Sequence, residues 1–356
     1  MIPSLQSDII PNAEAVKAKG TLLLETGSDK VCGDRLCSEV SNGKMHQKSI
    51  MKTSEKGVFP SAMDYTITPP EIDPEKGYFV AEIADGLYWL IDGSYQMMFL
   101  TTGKGVIVVD APAGMSEKIL PAISDVTDEP ITHMIYSHIH KDHVGSAHIF
   151  PDDTTYIAHI DAANHLKMKN DPDRPIPTVT FDDGYTLSLG NQVLELTFEG
   201  AFHSTGDIVI YAPEHKVLMI VDLFHPEVGP FFEFGITKNM NEHIAIHDTL
   251  LEEYDFDVLI PAHEPILATK DHLKTNKEFT LDVKDNVIQA LQEVNYMEMV
   301  EQYGSQGQYA VYDGYFDAVA QHCADLTLEK WNDKLRELEP FMIDNCKAMT
   351  FYVSID

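Results

Sequence analysis

Three imidazoles and a carboxylate fall within six residues in Ser137-His138-Ile139-His140-Lys141-Asp142-His143. Neutral imidazole suits zinc and other borderline transition metals, so this density of donors points to a metal site, with a His-rich surface turn as the plain alternative. If the chain stays extended as it leaves the preceding strand, His138 and His140 point the same way, because side chains alternate with a period of two. Asp142 is placed to N-cap the helix that follows, and Gly145 and Ser146 keep the backbone lean beside the site. Three further donors stand at strand ends. His203 lies in Glu199-Gly200-Ala201-Phe202-His203-Ser204-Thr205-Gly206-Asp207, Asp222 closes the run Val217–Val221, and His263 follows Ile260-Pro261-Ala262. Strand-to-loop transitions are where a rigid scaffold presents ligands.

The elements that must position these residues can be read from the hydrophobic pattern. Residues 1–70 carry weak periodicity and read as an N-terminal extension with one helix-like piece around Asn12–Leu24, closed off by Pro69, Pro70 and Pro74. Tyr78–Ile83 with Leu87–Ile91, and Tyr95–Thr101 with Gly105–Val109, read as two hairpins. Met115–Ile123 has helical spacing, Ile131–Tyr136 is a buried strand leading into the histidine cluster, and Thr154–His159 is another strand before a helix over Ile160–Met168. A meander follows in five strands between Val179 and Val221, then an amphipathic helix over Asn241–Glu253 and a buried strand at Val258–Pro261. Residues 71–270 thus form a body of strands with helices on the outside, and 271–356 a helical segment with a closing strand at Thr350–Ile355.

Composition narrows the chemistry. The chain has 356 residues, is 44% hydrophobic and carries a formal net charge of -32. Such a surface repels phosphate backbones, which argues against a nucleic-acid substrate. Only Arg35, Arg174 and Arg336 are arginine, so the usual bidentate clamps for phosphate and carboxylate substrates are scarce. No stretch approaches a membrane span, and no signal peptide is visible, which favours the cytoplasm over secretion. Of the four cysteines, Cys32 and Cys37 are spaced to close a small loop in an oxidising compartment, with free buried thiols an equal alternative.

The ordered set HxHxDH, a histidine about sixty residues on in a Gly-x-x-His-Ser-x-Gly setting, then Asp, then His, resembles the metallo-β-lactamase superfamily over roughly residues 78–270. The resemblance implies an α/β fold of αββα sandwich type. It implies that His138, His140 and His203 bind one metal ion, that Asp142, His143 and His263 bind a second, and that Asp222 bridges them. The implied cofactor is a pair of zinc ions, with iron or manganese also accepted by these ligand types. The implied chemistry is hydrolysis of a carbonyl substrate by a metal-bridging hydroxide, with Asp142 orienting the nucleophile or carrying its proton.

Aspartate at position 222, where many β-lactamases of the superfamily have cysteine or serine, is similar to the lactonase, glyoxalase II and phosphodiesterase branches. His140 stands where the flavodiiron branch has glutamate, and the basic set by which glyoxalase II grips glutathione is missing. A lactone of the acyl-homoserine-lactone type is therefore the expected substrate, with β-lactam or thioester as alternatives. A one-iron persulfide dioxygenase is the alternative from another reaction class, and a non-catalytic binding member ranks last because all seven ligands are present. A homo-oligomer is compatible with this reading, and a small molecule is its expected partner. Around the site, the aromatic loop Asp222–Phe234 reads either as an apolar pocket wall or as packing under the C-terminal helices, and His225 as a residue reaching substrate. Ser94–Met98 lies in a hairpin that lactonases of the family use near substrate, though its methionines suit a core. The C-terminal tyrosines (Tyr296, Tyr303, Tyr309, Tyr312 and Tyr315) read as structural. So do His133, His148, His159 and His165, as strand, surface or supporting residues. His243 and His247, four apart but without the Glu of an HExxH motif, read as a solvated helix face.

Overall fold

A computed structural model describes residues 66–355. Seven strands form the first sheet in sequence order: β1 (Phe79–Ala84), β2 (Leu87–Ile91), β3 (Gln96–Thr101), β4 (Val106–Val109), β5 (Ile131–Ile135), β6 (Thr155–His159) and β7 (Val179–Phe181). The first four pair antiparallel as hairpins, whereas β4 to β7 run parallel and need crossovers. Helices α1 (Ser116–Ser124), α2 (Lys141–Val144) and α3 (Ile160–Lys169) lie within those crossovers. The second sheet has the order β12-β11-β10-β9-β8, built from β8 (Gly184–Leu189), β9 (Gln192–Thr197), β10 (Val209–Ala212), β11 (Val217–Met219) and β12 (Val258–Ile260).

Period-two alternation explains how the layers close. From β2, β3 and β4, the residues Leu87, Trp89, Ile91, Met98, Leu100, Ile107 and Val109 face the second sheet. They meet Leu187, Leu194, Leu196, Ile210, Val217 and Met219 in one inter-sheet core. The opposite set, Leu90, Met97, Phe99, Val106 and Val108, packs under Ile119, Ala122 and Ile123 of α1 and Leu166 of α3. Helix α4 (Met240–Glu253) covers the outer face of the second sheet through Ile246 and Leu250. The expected αββα sandwich is therefore present, and the methionines at 97 and 98 are core residues, one in each layer.

Four helices follow: α5 (Lys270–Glu293), α6 (Tyr296–Tyr303), α7 (Gln308–Trp331) and α8 (Met342–Ile355). Helices α5, α7 and α8 share a core of Phe279, Val283, Val319, Ala324, Trp331, Met342 and Met349, stapled by a disulfide between Cys323 and Cys346. The strand expected at Thr350–Ile355 is corrected to helix. Met342, Cys346 and Met349 recur at helical spacing and bury one stripe against α7, which outweighs the β-propensity of Thr350, Val353 and Ile355. The helix-like piece at Asn12–Leu24 and the pair Cys32 and Cys37 lie outside the described residues.

Candidate metal centre

The histidine cluster leaves the carboxyl end of β5, a strand held between parallel neighbours. The turn is fixed by Asp110, at the end of β4, which is fully buried and left-handed at φ 64°. Its carboxylate accepts the Ser137 N–H at 2.9 Å and the Ser137 hydroxyl at 2.7 Å. With that proton directed to Asp110, Ser137 Oγ accepts from His138 Nδ1 at 2.9 Å, which leaves the Nε2 lone pair free to act as a ligand. Nε2 of His138 is buried with no hydrogen-bond partner, as a metal ligand awaiting its ion would be. Burial raises the Asp110 carboxyl to about 6 against the lowering effect of His143 and Ser137. The role of Asp110 and Ser137 was missed in the sequence, although the runs ending Val109-Asp110 and Val221-Asp222 share one pattern, an apolar strand closed by aspartate.

The seven sequence-predicted ligands come together as two groups, His138, His140, His203 and Asp222, and Asp142, His143, Asp222 and His263. Within each group the candidate ligand atoms all lie within 4.8 Å of one another. Asp222 is also left-handed, at φ 60°, and divides its carboxylate between the groups. Oδ2 lies 3.4 Å from His138 Nε2 and 3.2 Å from His203 Nε2, while Oδ1 lies 3.0 Å from His143 Nε2 and 3.1 Å from His263 Nε2. Asp142 reaches His143 Nε2 at 3.4 Å with its side chain 46% exposed, so it is the ligand candidate open to solvent. It does not cap a helix: His140 occupies the N-cap of α2, and Asp142 sits inside the first turn.

Electrostatics separate the histidines. Burial pushes His138 down to about 3, and burial together with His203 pushes His140 down to about 4. Burial also disfavours charge on His143, but Asp222 and Asp142 outweigh it and lift the ring to about 10. Asp222 is buried too, yet His143, His138 and His203 hold its carboxyl well below the usual range. Asp142 goes down to about 2, because its bond to His143 overcomes burial. In the metal-free chain, the proton on His143 thus offsets carboxylate charge where a divalent cation would, so uptake of an ion would release it, and the carboxylates of Asp222 and Asp207 shift His203 in the same direction against burial. The donor set fits transition metals that accept imidazole and carboxylate.

A supporting layer holds the other ligand candidates. Asp207 accepts the N–H groups of His203 and Ser204 at 2.8 and 2.7 Å, and the Ser204 hydroxyl at 2.5 Å. Gly206 lets this turn approach α3, since a Cβ there would stand 2.6 Å from the Ala162 nitrogen at φ +73°. Gln96 is fully buried; its amide donates to the carbonyls of His263 (2.6 Å) and Ile266 (3.0 Å) and also meets that of Glu264. Tyr95 lays its ring against His143 and His263, at 5.5 and 5.0 Å between centroids. Burial, then the charges of Asp142 and Asp222, raise its phenol pKa, so it remains a proton donor at neutral pH.

His225 stacks on His263 at 5.1 Å, with Nδ1 3.4 Å from Glu264 Oε1, at the margin of the second ligand group. In the aromatic loop, Phe234 packs under the C-terminal helices and Phe224 in the core of the second sheet. Phe224 and Phe234 are buried, whereas Phe231 is 51% exposed and packs edge-on against Phe341. His243 and His247 are not a solvated face. Both are buried, because α4 turns them toward Phe202 and α5: His243 Nδ1 lies 3.3 Å from the Phe202 carbonyl and His247 Nε2 2.7 Å from Asn276 Oδ1. His159 is likewise buried, stacked on Phe198 at 4.0 Å. The hydroxyls of Tyr303, Tyr312 and Tyr315 bond Gln302, Gln308 and the Leu291 carbonyl within the C-terminal segment.

Residues 90–263 match the sequence family described as the metallo-beta-lactamase superfamily. The 2,4-dinitroanisole O-demethylase subunit alpha of Nocardioides sp. (strain JS1661) is 26% identical over 201 residues, 53% of this chain and 60% of that protein. A metallo-beta-lactamase type 2 of Elizabethkingia meningoseptica is 26% identical over 129 residues, 34% of this chain and 49% of that protein. The chain therefore spans 49% to 60% of the length of these curated relatives. Among solved structures, the sec-alkylsulfatase Pisa1 of Pseudomonas sp. superposes with a TM-score of 0.59 at 17% identity, over 78% of this chain and 50% of that one. A metallo-beta-lactamase from Pontibacter korlensis gives 0.50 at 19% identity, over 56% of this chain and 97% of that one. At these identities the structural likeness shows the fold.

Proposed function

We infer a function from one premise, that over residues 90–263 this chain belongs to the metallo-beta-lactamase superfamily. It is a hydrolase that holds two metal ions, zinc in the first instance, and opens a carbonyl substrate, a lactone of the acyl-homoserine-lactone type. The observation that carries the reading is the Asp222 carboxylate, which turns one oxygen to each ligand group. His138, His140 and His203 would hold one ion, Asp142, His143 and His263 the other, and Asp222 both. Bound there, the ions would supply a water with its pKa lowered to about 7 and a Lewis acid for the substrate oxygen.

The chain's own residues supply the rest. Asp142, the member of the second group most open to solvent, orients the attacking water by accepting its hydrogen bond. The phenol of Tyr95 stays protonated at neutral pH and offers a hydrogen bond to a substrate oxygen. His225, stacked on His263, offers a flat surface to an acyl chain or ring. A neutral carbonyl suits the arginine inventory, because Arg174 is engaged by Asp171 and Ile139 in the interior.

Metal analysis and a substrate panel test the reading. We predict two zinc ions per chain and turnover of lactones. Asp222→Ala is expected to lose at least one ion and at least about 100-fold in turnover, the upper end of what partners of metal ligands contribute. The panel includes β-lactams, glutathione thioesters and phosphodiesters, with activated aryl ethers and secondary alkyl sulfates added from the names of the relatives. One iron per chain with oxygen consumption would replace the hydrolase reading by a sulfur oxygenase. Unchanged metal content and turnover in Asp222→Ala would sink the assignment.

A further inference from the structure

We propose that Arg174 is a positioning residue for the first metal group, acting on the His138–His140 loop from behind. The proposal rests on the metal-centre reading above. Arg174 is buried, and its donors go to protein acceptors. Nη1 donates to the carbonyl of Ile139 at 2.5 Å, and Nε and Nη2 donate to Asp171 Oδ2 at 3.1 and 3.0 Å. The same Asp171 oxygen takes Lys141 Nζ at 2.9 Å. One carboxylate therefore ties down both residues that flank His140, Ile139 through the guanidinium and Lys141 directly. Next to Arg174, the Pro175 carbonyl accepts the Tyr136 hydroxyl at 2.7 Å, anchoring the strand end just before the cluster.

The carbonyl of Ile139 belongs to the peptide that joins Ile139 to His140. A charge-assisted bond to it fixes the rotation of that peptide and so the direction in which His140 leaves the backbone. Arginine suits this position because its planar fork serves a carbonyl and a carboxylate at once, which a lysine ammonium on a flexible stem does not. The second half of the motif is anchored elsewhere. The His143 carbonyl accepts from Ala111 N–H at 2.8 Å, and Ser146 N–H donates to the Ala111 carbonyl at 2.9 Å. Asp142 and His143 are thus held from the β4 side, as His138 is through Ser137 and Asp110, whereas His140 is held from the 171–175 side. His140 belongs to the first ligand group and not to the second, so loss of the Arg174 brace acts on the first.

The test is zinc affinity of the full chain, measured by competition with a chromophoric chelator. Arg174→Gln and the milder Asp171→Asn are each expected to weaken one zinc ion about 10–100-fold, the range for partners of metal ligands, and to leave the other at its wild-type affinity. Arg174→Lys is expected to recover part of the loss. In a His140→Ala background, Arg174→Gln should leave the remaining ion unaffected, because the group it serves is already broken. A purely structural role would lower the melting temperature of the metal-free chain and weaken both ions by one factor, and that result overturns the proposal. So do wild-type affinities for both ions in a folded Asp171→Asn. A wild-type chain that takes up no zinc removes the metal-centre reading together with this inference, whereas two ions in the wild type and no change in the variants removes this inference alone.

Discussion

Asp222 and the imidazoles around it show how neighbouring groups of one kind acquire different protonation. His138 is kept neutral by burial, and His143, equally buried, is kept charged by two carboxylates. A second pair of buried imidazoles, His243 and His247, lies under the site and has no carboxylate to offset burial. His243 is pushed down to about 3 by burial and then by His247, and His247 is lowered by burial against its bond to Asn276. In the unfolded chain both titrate near 6.5. Their folded values are depressed, so the stability they contribute is present above about 6.5 and is lost as pH falls below it, where the unfolded state binds more protons. We predict that the unfolding free energy of the metal-free chain, from urea titrations, falls between pH 7 and pH 5. His247→Gln should flatten that slope by up to about 1.4 kcal/mol per pH unit, one proton's worth. An unchanged slope would show that His247 does not titrate on unfolding.

What could be read at this scale depended on whether a side chain's role leaves a sequence pattern. The seven ligand candidates stood out because donors of one chemistry recur at strand ends. Arg174 and Gln96 left no such mark, since each acts on main-chain carbonyls, which any residue supplies. His243 and His247 misled because i,i+4 spacing shows only that two residues share a helix face. What that face packs against, here Phe202 and Asn276, comes from elements far along the chain.

At the scale of elements, the hairpins, the parallel strands and the covering helices followed from period and from apolar runs. Helix α8 did not, because β-branched residues near its end favour a strand in isolation and only packing against α7 decides otherwise. That helix also reaches toward the site. Asn345 accepts the Phe234 N–H at 2.7 Å and donates to the Pro230 carbonyl at 2.9 Å, pinning the loop that follows Asp222. The Cys323–Cys346 bond ties α8 to α7 across a sequence separation of 23. Closing a loop of that length contributes about 2–4 kcal/mol, chiefly by restricting the unfolded chain. Cys346→Ser, or reduction with dithiothreitol, is expected to lower the urea unfolding free energy by that amount. Equal stability with and without reductant would show that the bond does not contribute.

Across the whole molecule, the net charge of -32 sets which ligands approach. Cations are drawn in and anions held off, with screening over about 10 Å at 0.1 M salt. For a pair of substrates that differ only in a remote carboxylate, kcat/KM for the anionic one is expected to rise with ionic strength, while the neutral one stays level. A fall for the anionic substrate would mean that a local basic patch overrides the global field.

The division of the candidate ligand set between two sheets bears on when a metal could be acquired. His138 to His143 follow β5 of the first sheet, while His203, Asp222 and His263 follow strands β9, β11 and β12 of the second. During synthesis the ribosome releases the histidine cluster more than a hundred residues before His263. At about 5–20 residues per second, that is on the order of ten seconds in which the cluster is a bare chelating peptide. Such a peptide ranks metals by intrinsic affinity, with copper above zinc. Geometric selectivity arrives only when the second sheet docks and brings His203, Asp222 and His263 to the cluster, so a metal would be selected by the folded protein but first met by a nascent chain.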